Sequence, residues 1–406
     1  MIIKLYPNLL EATIHALKQI FLENKKADRT IEGLFSQEKK WGSRDRRFVA
    51  SLIYESVRWH RKILYCSQLE SNPATQEEWR SYIICSLVLQ GFEFSIPTGY
   101  PQLNTEHVKN KLKEIGERAV LESIPSWLDR YAEKQLGEST WNHTLHALNQ
   151  FAPVVLRVNT LKTTVQKLSQ QLGRLGVETE TIGPFSLKLL EDYKSLKKTQ
   201  LYVDGCFELQ DYSSQQVVPF LNPRPGSVVV DACAGAGGKS LHLAAHMLNK
   251  GFIKALDIYE IKLQELKKRA ERASASIIST LKVGQEGNLP HSLTSYADYL
   301  LLDVPCSGLG VLKRNPDTKW KLSPPKMEEI IALQRTLLEK YTKILKPGAE
   351  MVYATCSILP IENQQQIAVF LESSSGHDFH FIEEKIILPQ DFGYDGFYMA
   401  KLKKIR

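Results

Sequence analysis

The chain has 406 residues, 43% of them hydrophobic and 24% charged; that is enough for two or three domains of ordinary water-soluble character. No apolar run reaches the ~18 residues of a membrane span, and the opening MIIKLYPNLLEATIHALKQ has neither the basic region nor the long apolar stretch of a secretory signal, so membrane insertion and export are not expected and the cytoplasm is. A net charge of +7, gathered in RDRR at 44–47, RWHRK at 58–62, KSLKKT at 194–199 and the terminal KLKKIR, is compatible with a polyanionic partner, although a solvated face explains each cluster equally well.

Residues 1 to about 122 read as an all-α domain. LLEATIHALKQIFLEN and DRRFVASLIYESVRWHRKILY repeat apolar residues every three or four positions, and SYIICSLVLQGFEF reads as a buried helix ending at Gly91. The Pro/Gly-rich SIPTGYPQ breaks the pattern. Residues 123–205 read as a small α+β module: a helix (IPSWLDRYAEKQLG), a strand and turn (APVVLRVNTLK), an amphipathic helix ending at Gly176, and two short strands (VETETIG, SLKLLE).

From residue 206 to the end, strands alternate with helices. GSVVVDACAG, GFIKALDI, ADYLLLDV and AEMVYATC are the strands; GGKSLHLAAHML, IKLQELKKRAERAS and PKMEEIIALQRTLLEKYTKIL are the helices between them. This alternation predicts a Rossmann-like, doubly wound, mostly parallel sheet, and such sheets bind ligands beyond the carboxyl ends of their strands. Asp231, Asp257, Asp303 and Cys356 all fall at such ends. There is no internal repeat.

Cysteines are at 66, 85, 206, 233, 306 and 356. None forms a CxxC pair and none shares zinc-like spacing with histidine, so no metal is expected. A reducing cytoplasm argues against a disulfide framework, and a lone cysteine is by default a small buried hydrophobe. Cys306 and Cys356 stand apart because each lies just past the end of an apolar strand.

The glycine-rich DACAGAGGKS, after a strand and opening a helix, suits a bound cofactor, a tight turn being the plainer reading. A phosphate-binding loop would need glycine at position 233, which is Cys233. A nicotinamide fingerprint matches Gly235 and Gly237 but meets Ser240 at its third glycine. S-adenosylmethionine binding accounts for more: a short loop after the first strand, and an acid, Asp257, at the end of the second for the ribose hydroxyls. It also leaves a use for two thiols. Carbon 5 of cytosine is a poor nucleophile until a thiolate adds at C6 and makes it enamine-like. A carboxyl near N3 stabilises the adduct, and a proton acceptor must clear C5 before the thiol is expelled. One cysteine, one acid, one proton acceptor and a cofactor loop are required; Cys356, Asp303, Cys306 and CAGAGGK supply them.

QDYSSQQVV, DACAGAGGKS, LLDVPCSGLGVLKRNPDTKW, YATCS and DGFYMAKL resemble, in order, the signature segments of the RNA cytosine-C5 methyltransferases, the Sun/nucleolar-protein family. DRRFVASLIYESVRWHRK is similar to the NusB-like helical domain of its bacterial RsmB type, and VLRVNTLK to the opening of its RNA-binding module. The resemblance implies S-adenosylmethionine as cofactor, held by Cys233, Ala234, Gly235, Ala236, Gly237, Gly238 and Lys239, with Asp257 on its ribose. It implies Cys356 as nucleophile, Cys306 as the thiol that assists product release, and Asp303 touching cofactor and target base. It further implies RNA as partner, 16S ribosomal RNA ahead of transfer RNA, for an enzyme acting as a monomer without metal or membrane. Two segments depart from the family. Gly235 and Ala236 replace the usual Ala-Pro, and where the family often carries an adenine-side acid after the third strand, VGQEGN offers Gln285 and Glu286, of which Gln285 is expected to hydrogen-bond the adenine amino group. A catalytically inactive RNA-binding assembly factor is the alternative, which the intact Cys306, Cys356, Asp303 and GGK oppose.

Overall fold

The computed structural model describes residues 2–191, 196–284 and 289–406. The chain divides into two compact units, Met1–Gln150 with Leu312–Ser323, and Phe151–Val311 with Pro324–Arg406.

The first unit is helical. Helix Pro7–Phe21 turns Leu9, Leu10, Ile14, Leu17 and Ile20 inward, the spacing its sequence shows. Helix Gln76–Leu89 is buried on nearly every side, from Trp79 to Val88, and starts with a capping box in which Thr75 and Glu78 satisfy each other's backbone N–H groups. Its two short strands, β1 (Ile2–Ile3) and β2 (Glu93–Phe94), pair in parallel. Leu312–Ser323 is tied into this unit by buried cations. Arg58 donates to the carbonyls of Lys313 at 2.9 Å and Leu312 at 3.4 Å, and Lys319, 1% exposed, donates to the Arg58 carbonyl at 2.9 Å. Arg58 and Lys319 are therefore interior hydrogen-bonding groups, and the 58–62 cluster is not simply a solvated face. The 194–199 cluster lies partly outside the described residues; Lys197 and Lys198 are exposed.

The second unit holds two sheets. The smaller is antiparallel, in the order β4 (Thr179–Gly183), β5 (Ser186–Leu189), β3 (Val155–Val158), β6 (Phe207–Leu209). Helix Val165–Gly173 covers it with Val165, Leu168 and Leu172, which pack with Leu156, Val158, Leu187 and Phe207. The larger sheet has seven strands: β7 (Val228–Asp231), β8 (Phe252–Asp257), β9 (Ile278–Lys282), β10 (Ala297–Asp303), β11 (Leu345–Thr355), β12 (Phe379–Ile387) and β13 (Phe397–Lys404). Their order is β12-β13-β11-β10-β7-β8-β9. β9 through β11 are parallel and β13 runs antiparallel between β11 and β12. Continuous apolar runs such as Leu300–Leu302 are buried on both faces, as strands covered by helices on both sides require. The expected doubly wound, mostly parallel sheet is the one observed. Strand order reverses between β7 and β10, so a crevice opens beyond the carboxyl ends of those two strands.

Candidate active site

Leu301 of β10 lies opposite Asp231 of β7, so the acids ending these strands, Asp231 and Asp303, meet at the reversal point. The loop after β7 turns on two left-handed glycines, Gly235 at φ 56° and Gly237 at φ 86°. A side chain at Gly237 would collide with Leu266, whereas the space beside Gly235 is open. The loop is pinned from outside as well. Arg269 donates to the Ala236 carbonyl at 2.7 Å, and Arg157 of β3 donates to the Gly238 carbonyl and to Gln210. Helix Gly238–His246 then begins.

Beside this loop is a cavity of about 270 Å³, lined by Cys233, Gly235, Asp257, Ile258, Val283, Asp303, Leu337 and Tyr341 among others. Asp257 is locked in orientation: one carboxylate oxygen accepts the Gly235 N–H and the other the Tyr259 N–H, both at 2.8 Å. Lys239 reaches Asp303 at 2.5 Å and lies 5.1 Å from the centre of the Phe397 ring. Asp231 is 1% exposed; one of its oxygens accepts from Ser240 at 2.6 Å and the other has no partner among the described residues. Burial raises its carboxyl to about 7, a rise that the Ser240 hydrogen bond only partly offsets. Burial, reinforced by the charges of Asp231, Asp303 and Asp257, also drives the Cys233 thiol far up, so Cys233 is inert as a nucleophile.

The thiols of Cys306 and Cys356 are 3.2 Å apart. Cys306 lies in the loop after β10 and Cys356 directly follows β11, and these strands are hydrogen-bonded neighbours. The loops also meet through glycine. The Gly310 N–H donates to the Cys356 carbonyl at 2.9 Å, and the Gly396 N–H to the Gly310 carbonyl at 2.8 Å. A side chain at Gly310 would run into both the Gly396 and the Cys356 carbonyls. The hydrogen bond with Cys356, the packing around its sulfur and the charges nearby together push the Cys306 thiol well above its ordinary range.

A family model described as 16S rRNA methyltransferase RsmB/F matches residues 218–403, and one described as the ferredoxin-like domain of RsmF/B-like methyltransferases matches residues 124–193. The ribosomal RNA small subunit methyltransferase B of Yersinia enterocolitica is 30% identical over 98% of this chain and 99% of that protein. The chain belongs to the RsmB/F methyltransferase family. A probable methyltransferase B of Synechocystis is 33% identical over 70% of this chain and 67% of that protein. The crystal structure of PH0851 covers all of both chains with a TM-score of 0.80 at 24% identity, a shared fold.

An RsmB/F enzyme takes S-adenosylmethionine as cofactor, and the cavity has the groups for it. The oriented Asp257 carboxylate suits vicinal hydroxyls, Ile258, Val283 and Leu337 offer apolar walls, and the open flank of Gly235 admits close approach. Within the 233–239 segment, Cys233 and Gly235 line the cavity. Ala234 donates its N–H to Leu256, and Ala236, Gly237 and Gly238 shape and anchor the loop. Lys239 turns to Asp303. Gln285 lies outside the described residues.

The sequence reading missed two residues. Arg157, 3% exposed in β3, joins the small sheet to the cofactor loop; its one signal is a lone cation inside the apolar run VVLRV. Glu362, wholly buried, accepts hydrogen bonds from the serines that follow both thiols; its signal is an acid six residues past Cys356 in TCSILPIENQ.

Proposed function

We propose that this protein methylates carbon 5 of a cytosine in 16S ribosomal RNA through a covalent adduct with Cys356. The observation that carries this reading is the pair of thiols 3.2 Å apart with Cys306 pushed well up by its contact with Cys356. That contact and the burial of its sulfur raise the Cys306 thiol, which makes Cys306 the poorer nucleophile and leaves the attack to Cys356. Bound S-adenosylmethionine supplies the electrophilic methyl group. Cys356 adds to C6 of the base and gives C5 the electron density it otherwise lacks. Asp303, at the end of β10 beside Lys239, is within the same crevice to share a proton with the ring. As the C5–C6 double bond re-forms and the C6–S bond breaks, Cys306 takes up the C5 proton while passing its own to the departing Cys356 sulfur. The target base must leave its stack to reach the thiols. An rRNA substrate also fits the cytoplasmic compartment expected from the sequence.

The test is a denaturing gel of wild type, Cys306→Ala and Cys356→Ala incubated with S-adenosylmethionine and either 16S or transfer RNA. An adduct that builds up in Cys306→Ala on 16S RNA and is absent in Cys356→Ala is expected. The reverse pattern would make Cys306 the nucleophile, and an adduct on transfer RNA alone would move the substrate.

A further inference from the structure

Cys306 and Cys356 stand three residues past β10 and one residue past β11, on separate stretches of chain that leave their strands. Each loop has its own freedom, and misplacement by about 1 Å can cost on the order of a hundredfold in rate. The structure contains a device that removes this freedom. Ser307 follows Cys306, Ser357 follows Cys356, and both serines bond to the same carboxylate, that of Glu362. One Glu362 oxygen accepts the Ser307 N–H at 2.7 Å and the Gln334 side-chain amide at 3.1 Å. The other accepts the Ser307 hydroxyl at 2.5 Å and the Ser357 hydroxyl. Gln334 also donates to the Pro305 carbonyl at 3.0 Å, just before Cys306. The Tyr353 hydroxyl holds the Glu362 carbonyl at 2.7 Å.

All four donors to the carboxylate are neutral. A buried anion satisfied this way is costly to desolvate and persists only where its hydrogen bonds are complete. An amide could make a similar bridge. Glutamine would direct its oxygen to the two N–H donors and its NH2 to the two serine hydroxyls, which can accept as well as donate. Geometry alone therefore does not explain a charge here. The charge sits against the backbone N–H next to Cys306, the thiol that keeps its proton while Cys356 attacks.

We propose that Glu362 is a positioning residue for the two thiols: by clamping Ser307 and Ser357 to one carboxylate it holds Cys306 and Cys356 in contact, and its negative charge beside the Cys306 loop keeps the proton on Cys306. The inference rests on the reading of these cysteines as a working pair. It agrees with the Glu362 charge being among the causes that raise the Cys306 thiol.

The test does not need RNA. In full-length protein carrying Cys356→Ala, iodoacetamide labelling of Cys306 is followed against pH by peptide mass spectrometry, with Glu362 intact and with Glu362→Gln. The expected result is a labelling midpoint lower by a pH unit or more in the Glu362→Gln protein, at unchanged circular dichroism. Equal midpoints overturn the charge role, because a merely structural glutamate would not move the profile of a folded isostere. In the protein with both Cys306 and Cys356 in place, Glu362→Gln is expected to lower kcat for methylation of 16S RNA at least tenfold with little change in KM; an unchanged kcat likewise overturns the proposal. Should Glu362→Gln fail to fold, Ser357→Ala cuts one arm of the clamp and keeps the charge. It is expected to slow diamide-driven closure of a Cys306–Cys356 disulfide at least fivefold, and an unchanged rate overturns the clamp. A wild-type protein that methylates no 16S RNA sinks the substrate reading but leaves the labelling result to decide on Glu362.

Discussion

Asp231 shows at the residue scale how a site can hold an acid against its preference. It ends β7, is 1% exposed, and has one oxygen without a partner among the described residues. Burial raises its carboxyl from an ordinary value near 4 to about 7. The sign follows directly. A group bound more tightly to its proton in the folded state favours folding fully below about pH 4, and that contribution drains away as pH rises through about 7. Asp231→Asn keeps the shape and removes the titration. Thermal unfolding of wild type and Asp231→Asn should therefore show the variant gaining on wild type between pH 4 and pH 8, by an amount on the order of 4 kcal/mol at most. A difference in melting temperature that does not change with pH would refute the buried, proton-holding state.

Arg269 and Arg272 both turn to Glu208, and Arg269 also holds the cofactor loop. Arg157, though its burial lowers it to about 9, stays protonated at neutral pH and completes the same scaffold.

At the scale of elements, the glycines sort by what stands next to them. Gly310 and Gly396 bring the loop after β10 against the chain entering β13, and the Gly310 N–H holds the Cys356 carbonyl. Gly310→Ala puts a methyl group into two backbone carbonyls. It should cost several kcal/mol or force the Cys356 loop to move, with activity reduced on the order of a hundredfold. Gly235→Ala meets no atom within 4 Å. Its cost is the left-handed backbone, about 1 kcal/mol, and its effect should fall on cofactor affinity because the open flank faces the cavity. Calorimetric titration with S-adenosylmethionine and a thermal melt separate the two. If Gly310→Ala kept both stability and activity, the close approach of these loops would not matter to catalysis.

At the scale of the whole molecule, the exposed charges are the groups open to a polyanion. On helix Glu260–Ala273 the arginines are occupied internally, while Lys262, Lys267 and Lys268 are exposed. If these lysines face phosphates, replacing Lys267 and Lys268 with alanine should weaken RNA binding and lower the slope of log affinity against log salt by about 1.4 to 1.8, at 0.7 to 0.9 per phosphate. An unchanged slope would make them a solvated face. Lys162, by contrast, is committed to the carbonyls of Asp204 and Arg272 at 2.6 and 2.7 Å, so Lys162→Ala should be read out in stability rather than in salt dependence.

The parts of this protein written in its sequence are those that depend on local order. Strand and helix periods show the alternation after residue 206, and strands that end on Asp231, Asp257, Asp303 or just before Cys356 mark where the candidate site lies, because parallel sheets gather such ends on one edge. The glycine loop was legible for the same reason: its strain and its place before a helix are properties of neighbouring residues. Tertiary structure alone decided the rest. The 3.2 Å contact of Cys306 with Cys356 joins positions 50 residues apart, and Arg157 reaches Gly238 across 81. Leu312–Ser323, although it continues the motif around Cys306, packs with residues of the first unit through Arg58 and Lys319. Periodicity carries no information about such pairings. They arise when buried polar groups must find partners that can reach them, wherever in the chain those partners are. Glu362 is the plainest case: an acid whose role is set by two serines brought to it only when neighbouring strands β10 and β11 pair.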